Sequence, residues 1–233
     1  MQLKVPKCIK GVDRDFVICT NCNRQCVKNG YSKFGKQRFR CGICGKSYLS
    51  LYTRNAYKPG INSFIQEHLK EGCGIRSIAR LLKISANTVL KRIIYIAKTI
   101  ERPIIFIGKE YEVDEMVTYV GSKKKLYWIV YALEKDTRRV VDFAIGRRTN
   151  KTLRNITDRL LLSSASKVYT DKLLNYKYLI PSSIHSTKYR GTNYIERNHL
   201  TIRTHLKRLN RRSICYSKSA ILLSACLRIF FWT

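Results

Sequence analysis

The sequence predicts a multi-domain α+β protein with a zinc ribbon in residues 1–58, a helix-turn-helix in residues 59–103 and an α/β domain in residues 108–233. Three patterns indicate this division. Cysteines pair at short spacing in the first part, apolar residues recur at helical spacing in the second, and strand-like runs precede helical ones in the third. A chain of 233 residues can bury a core in one or two domains with a small module beside them.

The charge balance predicts a polyanionic partner. The chain carries 46 Lys and Arg against 15 Asp and Glu, a formal charge of +31, and 45% of its residues are apolar. A chain with this share of apolar residues can fold. Nucleic acid is the commonest polyanion that binds so basic a protein, because binding releases counterions from the phosphates. Anionic membrane is the rival partner, but the apolar runs are shorter than the roughly 20 residues of a bilayer span. Since the N-terminus lacks the apolar segment of a secretory signal, we expect an intracellular protein with no membrane partner.

Four of the nine cysteines form two Cys-X-X-Cys pairs, Cys19 with Cys22 and Cys41 with Cys44, with eighteen residues between the pairs. In an intracellular chain this spacing favours a metal over disulfides. Two turns that each present two thiolates can hold one tetrahedral Zn²⁺, and four thiolates leave no position for water. We therefore expect a structural zinc, with Cys26 as an alternative ligand.

Basic and aromatic residues are interleaved around these cysteines. Arg38 and Arg40 flank Phe39, and Tyr31 and Phe34 precede them. Because this mixture suits contacts to a DNA backbone, we predict that Arg38 and Arg40 bind DNA. A merely solubilising surface is the alternative.

Residues 61–100 have the apolar spacing of helices. A first helix contains Ile61, Phe64, Ile65 and Leu69. A second helix from about Ile75 to Leu82 is followed by a third that Ser85 can cap. In a helix-turn-helix, the third helix would meet the base edges of double-stranded DNA with the residues of its early turns: Asn87, Thr88, Lys91 and Arg92. An ordinary helical hairpin is the alternative.

The third part begins with strands. Tyr111 and Val113 alternate with Asp114 on a first strand, and two further strands with a turn near residues 134–137 complete an antiparallel meander. A helix then runs from Thr149 or Asn150 to Leu162, and ASKVYTD is a short buried strand. The segment IERNHLTIRTHLKRL is a helix whose apolar stripe consists of Ile195, Ile202, Leu206 and Leu209.

Three carboxylates of this third part are candidates for a metal site. Asp114 lies in the first strand, Asp171 ends the fourth, and Glu196 lies on the helix that follows. Glu196 is the only acid between Lys172 and Thr233, a span with twelve Lys and Arg. Carboxylates brought together from two strands and a helix can hold two Mg²⁺ ions for phosphoryl transfer. A surface ion pair of Glu196, worth little energetically, is the alternative.

These segments resemble a transposase of the IS1 family of insertion sequences. The likeness covers essentially the whole chain and is carried by NGYSKFGKQRFRCGICGKSY, GCGIRSIARLLKISANTVLKRI, VDEMVTYVGSKKKLYWIVYALEKDTRRVV and YIERNHLTIRTHLKRLNRRS. The family's acid triad falls on Asp114 in VDE, Asp171 in YTD and Glu196 in IERN, with twenty-four residues between the second and the third. The chain departs from the family at Lys172 and Leu173, where members typically have a Gly-Trp pair.

The resemblance implies an RNase H-like fold with a mixed five-stranded sheet and a DDE mechanism that uses Mg²⁺ or Mn²⁺. It also implies that His199, Arg203, His205 and Lys207 lie close to the active site. The implied partners are the terminal inverted repeats, target DNA and further copies of the chain in a dimer or larger assembly. The implied location is the nucleoid in the cytoplasm of a prokaryote, and since both halves of the family's enzyme are present, we expect the complete enzyme.

The expected reaction is DNA cleavage at an element end, after which the freed 3′-OH attacks target DNA. It needs neither ATP nor a covalent protein intermediate. Two alternatives stay open: a repressor derived from a transposase that has lost activity, and another RNase H-like nuclease. A serine or tyrosine recombinase would instead form a covalent bond to DNA.

Overall fold

The computed structural model describes residues 16–188, 190–210 and 215–233. The chain divides into two compact units, one that ends at Ile61 and one that extends from Asn62 to Thr233. The first fifteen residues of the predicted zinc ribbon lie outside the described residues. Each unit is described separately below.

The first unit contains a four-stranded antiparallel sheet in the order β1-β2-β3-β4. Its strands are β1 (Val17–Ile18), β2 (Gln25–Tyr31), β3 (Gln37–Arg40) and β4 (Ser47–Leu49), and a 3₁₀ turn follows at Asn55–Tyr57. The turn between β1 and β2 carries Cys19 and Cys22, and the turn between β3 and β4 carries Cys41 and Cys44. The hairpins thereby bring the two cysteine pairs together.

The second unit begins with three helices, α1 (Ile61–Lys70), α2 (Ile75–Leu81) and α3 (Ala86–Thr99). Ser85 caps α3 as predicted, since its side chain accepts a hydrogen bond from the Thr88 N–H at 3.1 Å. Phe64 differs from the prediction because its side chain is 49% exposed. The buried stripe of α1 follows i, i+4 spacing through Ile61, Ile65 and Leu69, and Phe64 lies about 100° away from the centre of that stripe.

A mixed five-stranded sheet in the order β7-β6-β5-β8-β9 forms the centre of the second unit. Its strands are β5 (Glu110–Val120), β6 (Ser122–Glu134), β7 (Val140–Gly146), β8 (Lys167–Thr170) and β9 (His185–Ser186). The first three pair antiparallel, while β8 runs parallel to β5 and β9 runs parallel to β8. The predicted meander and the mixed five-stranded sheet are therefore confirmed.

Helices cover both faces of this sheet. They are α4 (Asn150–Leu162), α5 (Leu174–Leu179), α6 (Asn193–His205) and α7 (Ala220–Trp232), with a 3₁₀ turn at Lys207–Leu209 after α6. Tyr111 and Val113 pack against α4 and α5 on one face. Met116 packs against α6 and α7 on the other. Because both faces are buried, acids in β5 lie in low-dielectric surroundings.

The three-helix segment shares a compact unit with the sheet because α3 packs against α7. Helix α7 is apolar around most of its circumference, as a helix must be when it lies between a sheet and another helix. Among the described residues, α7 and every other helix are too short or too polar to cross a bilayer.

Candidate active site

The pairing of β5 with β8 determines where the first two predicted acids lie. The strands are parallel, and their register ends with Val113 opposite Thr170. The next residue on each strand is an acid, Asp114 on β5 and Asp171 after β8. Residues in register on neighbouring parallel strands lie side by side, and β5 continues to Val120 beyond this pairing, so the register brings the two carboxylates together.

A third carboxylate, that of Glu115, joins this pair. One carboxylate oxygen from each of Asp114, Glu115 and Asp171 lies within 4.8 Å of the others. Asp114 accepts a hydrogen bond from the Glu115 N–H at 2.7 Å, and Asp171 accepts one from the Leu173 N–H at 3.0 Å. Three acids at these distances repel one another unless they bind protons or a cation.

The pKa of Asp114 reflects the closeness of these carboxylates. Burial, together with the negative charges of Asp171, Glu115 and Glu196, raises the pKa of Asp114 to about 7. His199 of α6 lies beside this acid, with its Nδ1 3.7 Å from Asp114 Oδ2. The three carboxylates therefore concentrate negative charge at one place.

Glu115 was not singled out from the sequence. Its side chain is 1% exposed, and Arg148 Nη2 lies 3.6 Å from its Oε2. The Arg148 guanidinium in turn lies 4.6 Å from the centre of the Trp128 ring. Burial raises the pKa of Glu115 and the negative charge of Asp171 adds to this, whereas Arg148 lowers it.

Glu196 lies near this cluster but differs from it in environment. Its side chain is exposed in the first turn of α6, and it accepts a hydrogen bond from Thr192 Oγ1 at 3.0 Å. It is not one of the three acids that lie within 4.8 Å of one another, although its charge raises the pKa of Asp114. The structure thus brings Asp114 and Asp171 together and leaves Glu196 outside this group, near enough for its charge to act on Asp114.

Two buried side chains of the sheet hold the first turn of α6. Glu112 of β5, which is 0% exposed, accepts a hydrogen bond from the Ile195 N–H at 2.8 Å. Tyr131 of β6 donates a hydrogen bond to the Ile195 carbonyl at 3.2 Å. Both backbone groups of this one residue are therefore fixed to the sheet, directly before Glu196. Glu112 was also missed in the sequence, where it stands among apolar neighbours.

Replacement of Glu112 tests this connection. Glu112→Ala leaves the Ile195 N–H buried without its acceptor, and we expect a loss of about 1–3 kcal/mol in the free energy of unfolding. Glu112→Gln keeps a carbonyl oxygen at the same place and should restore most of the stability. Urea denaturation of both variants measures this difference. Equal losses in the two variants would show that the charge of Glu112, rather than its hydrogen bond, stabilises the helix.

The cysteine pairs of the first unit form a second candidate metal site. Sulfur atoms of Cys19, Cys22, Cys41 and Cys44 lie within 4.8 Å of one another. Tetrahedral Zn²⁺ with Zn–S bonds of about 2.3 Å needs sulfurs about 3.8 Å apart, and Cys19 Sγ lies 3.5 Å from Cys44 Sγ. Tyr48 donates a hydrogen bond to Cys19 Sγ at 3.3 Å, which lowers the pKa of Cys19 to about 6. Cys26 is buried nearby, but it does not belong to this group of four in the described part of the chain.

The residues predicted to bind DNA differ in their accessibility. Those with exposed side chains are Arg38, Arg40, Asn87, Lys91 and Lys207. Thr88, Arg92 and Arg203 are half-buried, and Arg92 Nη1 donates a hydrogen bond to Asn62 of α1 at 3.4 Å. His199 is buried against Asp114, and exposed His205 lies with Nδ1 3.3 Å from the Lys70 carbonyl. The alternation of outward Arg38 and Arg40 with buried Phe39 follows from the two-residue period of β3.

Two family models match the chain. The model described as IS1 transposase, a DDE domain, matches residues 107–231, and the model described as the InsA C-terminal domain, a helix-turn-helix, matches residues 52–94. The first match contains all four acids of the candidate site. The four clustered cysteines lie outside both matched ranges.

Curated relatives belong to the same family of insertion elements. The protein InsB of insertion element iso-IS1n from Shigella dysenteriae is 37% identical over 108 residues, 46% of this chain and 82% of the relative. InsB of IS1 from Shigella flexneri is 36% identical over the same shares of the two chains. InsB of IS1 2 from Escherichia coli K12 is 35% identical over 46% of this chain and 65% of the relative.

This chain also matches a chain in the solved structure of the simian T-cell lymphotropic virus intasome. The matched region covers 70% of this chain and 66% of the viral structure's chain. Its sequence identity is 15% and its TM-score is 0.37, which is too weak a likeness to define a fold. The family matches and the InsB relatives, rather than this structure, show the family of the chain. The chain belongs to the IS1 transposase family, as an insertion-sequence transposase that combines a DDE domain with a helix-turn-helix DNA-binding domain.

Proposed function

We propose that this transposase cleaves and joins DNA strands at a site formed by Asp114, Asp171 and Glu196. The observation that carries the proposal is the parallel register of β5 and β8, which sets Asp114 beside Asp171 at the end of the ladder. Helix α6, held to the sheet through Ile195, would supply Glu196, whose charge already acts on Asp114. A mixed sheet with acids at neighbouring positions of two parallel strands, and with a further acid on a later helix, supports an RNase H-like domain.

The donor set fits a divalent cation. Carboxylate oxygens are the ligands that Mg²⁺ and Mn²⁺ prefer, and crowded acids with a raised pKa at Asp114 are relieved when a cation replaces the protons. When bound, such ions would stabilise the attacking and leaving oxygens of an in-line displacement. Asp114, Asp171 and Glu196 would hold them.

Neighbouring residues of the chain have supporting roles. Arg148 partly neutralises Glu115, so that this buried acid does not add its full repulsion to the site. His199 fills the space between α6 and Asp114 and restricts the carboxylate on that side. Arg203 and Lys207 lie farther along the same helix and its continuation, where their charges would attract the DNA backbone. These contacts orient the acids and the substrate without a covalent bond between protein and DNA.

DNA recognition would fall to the remaining predicted parts. The zinc ribbon, with structural Zn²⁺ on Cys19, Cys22, Cys41 and Cys44, and the helix-turn-helix would bind the terminal inverted repeats. The exposed side chains of Asn87 and Lys91 on the early turns of α3 have the placement of base-reading residues. Synapsis of two element ends would require a dimer or larger assembly. The ribbon, the helix-turn-helix and the catalytic segment would thus have three separate roles, although the chain forms two compact units.

Replacement of Asp171 by Asn tests the catalytic proposal. The amide oxygen in Asp171→Asn would still accept the hydrogen bond from the Leu173 N–H, so the fold should persist. Removal of a second-sphere metal contact commonly costs about 10–100-fold, and loss of a direct ligand should lower Mg²⁺-dependent cleavage of an element end by more than about a hundredfold. Asp136→Asn, at a surface acid 62% exposed and paired with Lys109, is the matched control. Cleavage by Asp171→Asn at the rate of the control would overturn the assignment and favour a repressor or another nuclease site.

A further inference from the structure

The first unit of the chain, the ribbon unit (described residues 16–61), contains a groove lined by aromatic and basic side chains. The groove has a volume of about 650 Å³, within the range of small-molecule sites. Its lining includes three aromatic and three basic residues: Phe34, Tyr52, Tyr57, Lys33, Lys36 and Arg54. All of it lies within residues 32–57, in the turn between β2 and β3, at the end of β4 and in the segment that follows β4.

The aromatic residues of the groove are not part of the core of this unit. That core is built from Val17, Phe39, Tyr48 and cysteines. Phe34 is 72% exposed, Tyr52 is 40% exposed and Tyr57 is 37% exposed. The centres of the Tyr52 and Tyr57 rings lie 4.7 Å apart and their planes meet at 43°, so the two rings are in tilted contact and each remains partly exposed. Exposed aromatic surface of this kind is typical of a binding site rather than of a bare exterior.

The positive charge of the ribbon unit favours an anionic partner for this groove. Residues 16–61 contain nine Lys and Arg and no Asp or Glu. Lys33 Nζ lies 5.4 Å from the centre of the Phe34 ring, so a cation and an aromatic face are available at one place. An acidic peptide would use the charges but not the flat rings, whereas a nucleotide offers a phosphate and a base with a π-face.

We propose that this groove binds unpaired nucleotides of DNA, with bases stacked on Phe34 and the Tyr52–Tyr57 pair and phosphates bound by Lys33, Lys36 and Arg54. In a duplex the faces of the bases are covered by their neighbours, so only bases that have left the stack can use these rings. The site would therefore prefer single-stranded DNA or frayed ends over intact duplex. It extends the DNA binding of the family and is independent of the metal site in the DDE domain.

A binding assay with the full-length protein tests the proposal. Fluorescence anisotropy compares a twelve-nucleotide single strand with a duplex of equal length closed by hairpins at both ends, without added Mg²⁺ so that no cleavage occurs. Single strands that carry 2-aminopurine report base stacking directly. Variants are Phe34→Ala and Tyr52→Ala, and the matched control is Tyr31→Ala, which removes an aromatic side chain 70% exposed but outside the groove lining. Zinc content confirms that each variant retains the ribbon.

We expect Phe34→Ala and Tyr52→Ala each to weaken single-strand binding about 5- to 150-fold, the range for loss of one stacked base, and to abolish the change in 2-aminopurine emission. Binding to the closed duplex and the behaviour of Tyr31→Ala should stay within about twofold of wild type. Equal losses on single strand and duplex would show that the groove holds only the backbone, and unchanged binding would show that it receives another partner; either result overturns the proposal. Because the assay needs no catalysis, its failure is distinguishable from a failure of Asp171→Asn to lose cleavage.

Discussion

Replacement of Glu196 by Gln is expected to abolish cleavage and joining of element ends while DNA binding persists. The Glu196 side chain is exposed, and its contact within the described part of the chain is the hydrogen bond from Thr192 Oγ1, so its loss should disturb the fold little. The net charge becomes more positive by one, which favours binding to a polyanion. A fall in cleavage of more than about a hundredfold would therefore report loss of a metal ligand rather than of affinity. Gel-resolved cleavage in Mg²⁺, with end binding measured in parallel, provides the test.

The control separates metal binding from helix stability. Thr192→Val removes the hydroxyl that donates to Glu196 and leaves the carboxylate in place. If Glu196 serves only in this local hydrogen bond, both variants should show the same thermal stability and the same activity. If it binds metal, Thr192→Val should cleave at close to the wild-type rate.

Glu115 provides the competing assignment. It lies with Asp114 and Asp171 within 4.8 Å, while Glu196 stands outside that group. Normal cleavage by Glu196→Gln, together with loss of cleavage in Glu115→Gln, would identify Glu115 as the third acid. The partnership of Glu115 with Arg148 argues against this, because a buried acid that already has a cation gains less from a metal.

Much of the fold around the site follows from sequence periodicity. Helix α4 begins at Asn150, one of the two predicted starts, and ends at the predicted Leu162, since its apolar spacing is regular. The Thr149 side chain at its N-cap makes no capping hydrogen bond, so the predicted cap is not what fixes the start. By contrast, β9 and α5 were not predicted. They contain two and six residues, too few to show either a strand or a helix period.

The site itself was only partly predictable. Asp114 was identified inside a predicted strand and Asp171 at the end of another, and a resemblance supported both, but their adjacency depends on a parallel register that no local pattern encodes. Glu112 and Glu115 were missed because alternation alone assigns them to faces and does not say that both faces are covered. The available signal was four acids within one largely apolar strand, since buried acids require partners.

Loss of a zinc ligand is expected to unfold the ribbon unit. Its buried core consists of six residues, of which Cys19, Cys26 and Cys41 are three. So small an apolar core cannot offset the conformational entropy of about 46 ordered residues, and structural zinc commonly supplies about 10–16 kcal/mol in such modules. Cys41→Ser should therefore lose zinc, become sensitive to protease within residues 16–61, and bind element ends at least about tenfold more weakly.

Cys26 offers the matched control, because it is buried in the same core but lies outside the group of four sulfurs. Cys26→Ala removes a sulfur of similar burial and should keep about one zinc per chain, since four thiolates complete a tetrahedral site. Zinc content by elemental analysis and limited proteolysis distinguish the two variants. Retention of zinc by Cys41→Ser, or its loss from Cys26→Ala, would mean that Cys26 is a ligand. In that case the turn after β1 and the start of β2 would share the metal, and Cys41 would be a core residue.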